Sequence, residues 1–261
     1  MTVMSRVVEL RAMQYRRTFR ASLFSSFLNP VLFLLAMGVG LGTYVDRSGS
    51  ATQALGGLSY LQFLAPGLLA ATAMQAAAFE STFPIMAGLT WQKVFHAMYA
   101  TPIGPRDIVL GNLAWIALRL TMIAAIFTIV MTLFGAAASP LILLAIPAAV
   151  LTGMAFATPI AAFSATQRTP EKFNAVFRFG ITPLFLFSGT FFPISNLPAA
   201  IQPIAWFSPL WHGVELSRAL ALGTIGANPL LAIVHVVVLA AIAIGGAAWA
   251  FRTVERRLVR G

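Results

Sequence analysis

Cysteine is absent from the 261 residues, which removes any disulfide framework and any thiolate metal site. Charge is scarce as well, at 9% of the chain against 59% hydrophobic residues. Soluble domains average roughly 25% charged and 45–50% apolar, so this composition excludes an ordinary water-soluble globule. The only lysines are Lys93, followed by Val94, and Lys172, followed by Phe173. A nucleotide-binding P-loop needs a glycine-rich turn ending in Gly-Lys-Ser/Thr, so the chain holds no nucleotide in that way.

Acidic residues number seven, and none falls in the middle of an apolar run. Glu80 stands near the end of one. Ion-coupled carriers usually hold carboxylates or histidines inside the membrane. His96, His212 and His235 are too far apart in sequence to make a ligand pair by spacing, and an isolated His235 reads as a helix-packing donor rather than a proton relay. The only aspartates, Asp46 and Asp107, fall on opposite sides of the expected membrane. Neither G-x-S-x-G nor H-E-x-x-H occurs, so no catalytic residue and no metal site is expected.

What the chain does have is long apolar runs. Roughly 20 helical residues cross a hydrocarbon layer of about 30 Å, and the sequence predicts an all-α polytopic membrane protein with six transmembrane helices. They are placed at about Ser22–Tyr44, Tyr60–Phe83, Ile108–Phe134, Leu141–Phe163, Ala175–Phe192 and Leu230–Phe251. Pro30, Pro66, Pro147, Pro159 and Pro183 fall inside them, which lipid-embedded helices tolerate. No linker, low-complexity tract or repeat divides the chain, so 1–261 reads as a single transmembrane domain.

The net charge of +10 has two readings, nucleic acid or membrane topology, and its placement decides between them. Arg6, Arg11, Arg16, Arg17 and Arg20 precede span one. Lys93 and Arg106 sit between spans two and three, Arg168, Lys172 and Arg178 between or just within spans four and five, and Arg252, Arg256, Arg257 and Arg260 at the end. Only Arg47 and Arg218 occupy the other set of loops. By the positive-inside rule both termini are cytoplasmic, in a multi-pass protein of the cell membrane. No basic aromatic domain offers itself to nucleic acid. The head, about 20 residues with five arginines, is too long for a signal-peptide n-region, so span one is expected to be retained.

Three segments stand out. In residues 1–20, Met4, Val7, Val8, Tyr15 and Phe19 gather on one side of a helical wheel. Arg6, Glu9, Arg16, Arg17 and Arg20 lie opposite, and Arg11 breaks the apolar face. This predicts an amphipathic interface helix on the cytoplasmic leaflet, against the plainer reading of basic residues that only fix topology. In LTWQKVFHAMYATPIGPRDIVLG, the apolar Trp91, Val94, Phe95 and Met98 share one face of a helix over 89–99, with Gln92, Lys93 and His96 on the other. Such a helix either contacts a cytoplasmic partner or lies in the lipid interface. Residues 193–229 should be outside yet are largely apolar, and Pro193, Pro198, Pro203 and Pro209 prevent one continuous helix. Short re-entrant outer helices fit this better than a free loop, with Trp206, Phe207 and Trp211 at the membrane boundary. Glu215 and Arg218, three apart, are expected to pair near the rim.

Arg119 lies about 12 residues beyond Asp107, roughly 18 Å along the helix. An intramembrane arginine is a functional-site hypothesis by default. It either meets an anionic group in the substrate path or pairs with Glu80, with backbone carbonyls, or with the interface by snorkelling. A six-span chain without its own motor reads as a pore-forming subunit driven by another protein. An ion-coupled secondary transporter and a non-transporting membrane scaffold are the alternatives, and an adjacent gene for a Walker-motif ATPase would discriminate among them.

TWQKVFHAMYATP followed by RDIVLG resembles the cytoplasmic loop of ABC-2 type permeases, and FLFSGTFFPISNLPAAIQPIAWFSPLWHGVELSRAL is similar to the family's segment entering and following its fifth span. Within the family the similarity is closest to permeases of nodulation-type lipo-oligosaccharide exporters and related drug exporters. The resemblance implies a half-transporter that dimerises with a second copy and binds two ABC ATP-binding subunits, which use ATP and Mg while this chain binds no cofactor. It implies that 89–99 is the coupling helix, with Trp91, Gln92, Lys93, Phe95 and His96 as its ATPase-coupling residues: Gln92, Lys93 and His96 on the polar face are expected to reach the ATPase, while Trp91 and Phe95 anchor in the permease or lipid. Independently of the resemblance, the apolar, proline-broken stretch 193–229 is expected to form a partly embedded outer gate comprising Phe191, Phe192, Pro193, Trp206, Trp211, His212, Glu215 and Arg218. The implied activity is export of a lipid-linked glycan or an amphipathic drug-like molecule. Where many members carry charged residues before that helix, this chain has Ala87-Gly88-Leu89-Thr90.

Overall fold

The computed structural model describes residues 3–17, 19–47 and 55–260. Every regular element among the described residues is helical. The side chains of Met4, Ser22 and Arg260, invoked above, lie outside the described residues.

Among the described residues, four helical stretches are long and apolar enough to cross a membrane: Tyr60–Trp91, Pro105–Leu133, Pro140–Thr166 and Pro229–Val259. They coincide with expected spans two, three, four and six. Local signals set their ends. Helix α4 (Tyr60–Ser81) starts on a capping box in which the Ser59 hydroxyl accepts from the Gln62 amide and the Gln62 side chain accepts from the Ser59 amide. Helix α7 (Pro105–Leu133) places Pro105 in its first turn, where no amide hydrogen is needed, and Asp107 accepts from the Gly104 amide at 3.3 Å. Helices α8 (Ala145–Thr166) and α13 (Pro229–Arg260) complete the set.

The regions of expected spans one and five are helical but not uniform. Residues 19–47 run through α2 (Phe19–Phe33), a π-helix (Leu34–Leu41) and α3 (Gly42–Arg47). Residues 171–187 run through α9 (Glu171–Ala175), a π-helix (Val176–Ile181) and α10 (Thr182–Phe187), five residues short of the expected Phe192. Wider turns of this kind leave a ladder locally irregular.

The middle of the fold is α4, whose most apolar window is 72% buried, against 22% for α13. Around it pack α8, α7 and α12 (Pro209–Leu222), and α8 also lies along α13. Small side chains permit this approach. A Cβ on Gly213 of α12 would collide with the Thr152 side chain of α8, and one on Gly246 of α13 with Thr158.

The head forms a separate helix, α1 (Val3–Arg16), packed on α7. Val7 is buried and the Tyr15 ring meets Trp115 edge-on at 5.6 Å. Arg11 is put to use rather than breaking the apolar face: it donates to Asn112 Oδ1 from Nε at 2.8 Å and from Nη2 at 2.6 Å.

Between 188 and 208 lie a 3-10 turn (Ile194–Asn196) and α11 (Gln202–Trp206). Ile194, Leu197 and Ala205 form a small core of their own with Phe192 and Trp211. Ile204, Trp206 and Phe207 point away from the protein, Phe207 at 86% exposure.

Candidate functional site

At one end of the bundle the segment expected as one helix over 89–99 is divided. Short helix α5 (Phe83–Met86) leads into a π-helix (Ala87–Trp91) that closes with the Gln92 amide donating to Ala87 O at 2.8 Å, and α6 (Val94–Tyr99) follows. Lys93 joins them at φ 52°, the only described non-glycine residue with positive φ. The break comes from this left-handed residue, which costs a lysine free energy that a glycine would not incur. It also redistributes the expected faces. Trp91 does not share the buried face but is 54% exposed, beside exposed Gln92 and Lys93. Phe95 is the anchor, 3% exposed, and a Cβ on Gly88 would stand 2.6 Å from its ring. His96 is half-buried with Nδ1 lacking a hydrogen-bond partner.

Two arginines missed by the sequence reading hold this elbow. The Arg11 guanidinium lies 5.8 Å from the Phe95 ring centroid and Nη2 reaches Pro84 O at 3.4 Å, so α1 braces the elbow from the side. Burial lowers the Arg11 pKa from its ordinary value, and the nearby Glu80 carboxylate opposes that shift. Arg257 of α13 donates from Nη1 to Ala165 O at 2.9 Å and Gln167 O at 2.6 Å, and from Nη2 to Thr90 Oγ1 at 3.0 Å. It satisfies carbonyls at the open end of α8 and fixes Thr90, three residues before Lys93. A hydrogen bond to a charged group contributes about 1.5–3 kcal/mol net of its exchange with water, and less where the group is partly exposed. Arg257→Gln is therefore expected to preserve insertion, lower the melting temperature of purified protein by a few degrees and quicken proteolysis at 90–93. Unchanged proteolysis would remove Arg257 from the elbow's support.

Arg119 and Glu80 pair through Nε and Oε1 at 3.2 Å, and the Arg119 guanidinium lies 4.2 Å from the Tyr15 ring centroid. Arg119 does not line the groove of about 310 Å³ between α2, α4, α7 and α10. That groove presents Thr72 and an exposed Gln75 among apolar walls. A glutamine within an alanine-rich run was the available signal.

At the other end, the expected Glu215–Arg218 pair is present, but its arginine is buried rather than set at a wet rim. Arg218 is 9% exposed, pairs with Glu215, donates to Gly189 O at 2.8 Å and Phe63 O at 3.3 Å, and sits 3.9 Å from the Phe63 ring centroid. It thereby ties α12 to α4 and to the loop after α10. Phe191 and Phe192 are half-buried beside Pro193, and Tyr60 donates its hydroxyl to Phe191 O at 3.3 Å. His212 and His235 were too distant in sequence to be paired, yet their Nδ1 atoms stand 2.7 Å apart, linking α12 to α13. Trp211 packs edge-on against both rings, at 4.9 and 5.1 Å. His235 is consequently not isolated. The helical turn of α12 and the start of α13 bring together residues 23 apart.

Among the described residues, four helices long and apolar enough to cross a membrane, a solvent-exposed elbow and an aromatic, arginine-locked far end describe a membrane-embedded helical bundle. The sequence profile of the family described as ABC-2 type transporter matches residues 6–222, and the chain belongs to that family. Among its relatives, Nodulation protein J of Rhizobium leguminosarum bv. viciae is 34% identical over 214 residues, covering 82% of this chain and 80% of the relative. The protein of the same name from Rhizobium leguminosarum bv. trifolii is 34% identical over 209 residues, 80% of this chain and 77% of the relative. That of Rhizobium meliloti (strain 1021) is 31% identical over 210 residues, 80% and 78% respectively. Family membership makes this chain a membrane transport subunit rather than an enzyme, and implies association with an ABC ATP-binding subunit.

Proposed function

We propose that this chain is the membrane half of an ATP-driven exporter in the cell membrane, with six spans and both termini cytoplasmic. Two copies face each other and bind two separate ATP-binding subunits, which supply ATP and Mg chemistry. The cargo is a lipid-linked glycan or an amphipathic drug-like molecule. The observation that carries this reading is the elbow: Trp91, Gln92 and Lys93 are exposed over the buried Phe95. An exposed tryptophan on an anchored, left-handed turn is a compact feature for a partner to grip. His96, being half-buried, supports the elbow from beneath.

In this reading the helical regions 19–47 and 171–187 are spans one and five, and the groove bearing Thr72 and Gln75 receives cargo. Arg119, occupied by Glu80 and Tyr15, holds α1 in place and shapes the path indirectly. The segment 193–229 caps the outer end with short helices dipping into the lipid. Co-purification with a Walker-motif ATPase, followed by ATP-dependent transport in sealed vesicles, tests the whole. Absence of any such ATPase from the purified complex, with transport driven by a proton gradient instead, would replace this reading by the ion-coupled one.

The outer cap has its own test, since a chain without cysteine accepts single cysteines cleanly. Positions 196, 201, 206 and 211 are probed with an impermeant thiol reagent from outside. Asn196 is expected to label readily, and 201, 206 and 211 poorly. Ile201 and Trp206 are 40% and 48% exposed in the protein itself, so slow labelling there reports lipid rather than burial in protein. Uniform fast labelling would show a cap lying in water.

A further inference from the structure

A second cavity, of about 470 Å³, opens between the head and α7. Ala12, Tyr15 and Phe19 line it from the head; Trp115, Leu118 and Met122 line it from α7. The volume falls within the roughly 300–1,000 Å³ usual for small-molecule sites. Its aromatic rings are those found where a membrane protein meets the headgroup layer: Tyr15 touches Phe19 and Trp115 edge-on, at 5.7 and 5.6 Å.

Two arginines border the cavity and differ in one respect. Arg119 is balanced by Glu80. Arg16 is exposed and makes no ion pair among the described residues; the nearby head carboxylate, Glu9, is held by Arg6 at 3.4 Å. The cavity therefore combines apolar walls with one uncompensated cation at its mouth. A free phosphate would leave the walls unfilled, and a zwitterionic lipid would supply its own counter-charge. We propose that this cavity binds one anionic phospholipid of the cytoplasmic leaflet, an acyl chain lying between α1 and α7 and its phosphate against Arg16. Charge-assisted contact to Arg supplies selectivity, and the basic head draws such lipids to the surface. The lipid becomes part of the joint that holds α1, and through Arg11 the elbow, on α7.

The test uses the full chain purified in non-ionic detergent. Phosphatidylglycerol and phosphatidylcholine with matched acyl chains are added, and retained lipid is counted by native mass spectrometry. Arg16→Gln is compared with Arg17→Gln, an exposed neighbour that does not line the cavity, and with Leu118→Trp, which fills it. Melting temperatures confirm that each variant is folded. Phosphatidylglycerol should be retained about tenfold over phosphatidylcholine, a ratio matching roughly one good ionic contact. Arg16→Gln should remove that preference, Arg17→Gln should keep it, and Leu118→Trp should lose both lipids. Equal retention of the two lipids overturns the proposal. So does equal loss in the two arginine variants, which would mean diffuse surface charge, or displacement by glycerol phosphate alone, which would mean a headgroup site without a chain. Because the permease is measured alone, none of these outcomes depends on which cargo it carries or on its ATPase.

Discussion

Arg218→Ala is expected to reduce the protein in membranes to a small fraction of its ordinary abundance, and to cost about 3–5 kcal/mol of stability in what remains. The magnitude follows from what the side chain leaves behind. Its guanidinium serves the carbonyls of Gly189 and Phe63 together with the Glu215 carboxylate, and lies over the Phe63 ring. Removing it strands two buried acceptors and a carboxylate at the contact of three chain segments. Arg218→Lys retains the charge but cannot reach three acceptors in a planar fork, so it should rescue only in part. Glu215→Gln should be milder, because the Glu215 side chain is 36% exposed and water can replace its partner. Abundance and detergent melting curves for the three variants decide the matter. Wild-type melting of Arg218→Ala would show the lock to be dispensable.

Phe95→Ala has the second large expected effect, and under the coupling role proposed above it falls on coupling rather than on assembly. Truncating a buried phenylalanine costs roughly 3–5 kcal/mol, here concentrated on a six-residue helix at the edge of the bundle. Without the ring against Gly88, α6 loses its anchor while the spans keep their packing. In a reconstituted complex the variant should retain insertion, and stimulation of the partner's ATP hydrolysis should fall more than tenfold, a loss equivalent to about 1.4 kcal/mol or more. Gly88→Leu should mimic it, since added side-chain atoms displace the same ring. Phe95→Leu, which refills most of the volume, should recover a large part. Full stimulation by both damaging variants would mean that the elbow is gripped without being braced from below.

Spans two, three, four and six were legible because length and apolarity suffice to specify them. The flanking regions 19–47 and 171–187 were legible as helix, but nothing in their composition announces the π-helical turns over Leu34–Leu41 and Val176–Ile181. The elbow was found by periodicity and misdrawn by it. A helical wheel presumes one unbroken helix, and the reversal rests on a lysine in a conformation that sequence patterns assign to glycine. The Arg218–Glu215 and Arg119–Glu80 pairs were legible from spacing and depth, but arginines counted only for topology received no partner. Arg11, Arg218 and Arg257 each bond to backbone or side-chain oxygens far away in sequence, and the His212–His235 pair likewise exists only once α12 and α13 have met.

Those separations also impose an order on manufacture. Arg11 finds Asn112 across 101 residues, and Thr90 finds Arg257 across 167. At a synthesis rate of about 5–20 residues per second, the head waits several seconds or more for the helix it docks on. Thr90 waits longer still, until α13 has been made and inserted. The nascent chain thus passes through a period in which its apolar helices are made while the elbow, the surface proposed above for the ATP-binding subunit, is not yet braced. The brace on Thr90 is finished last, so a chain interrupted before α13 is built presents an unbraced elbow.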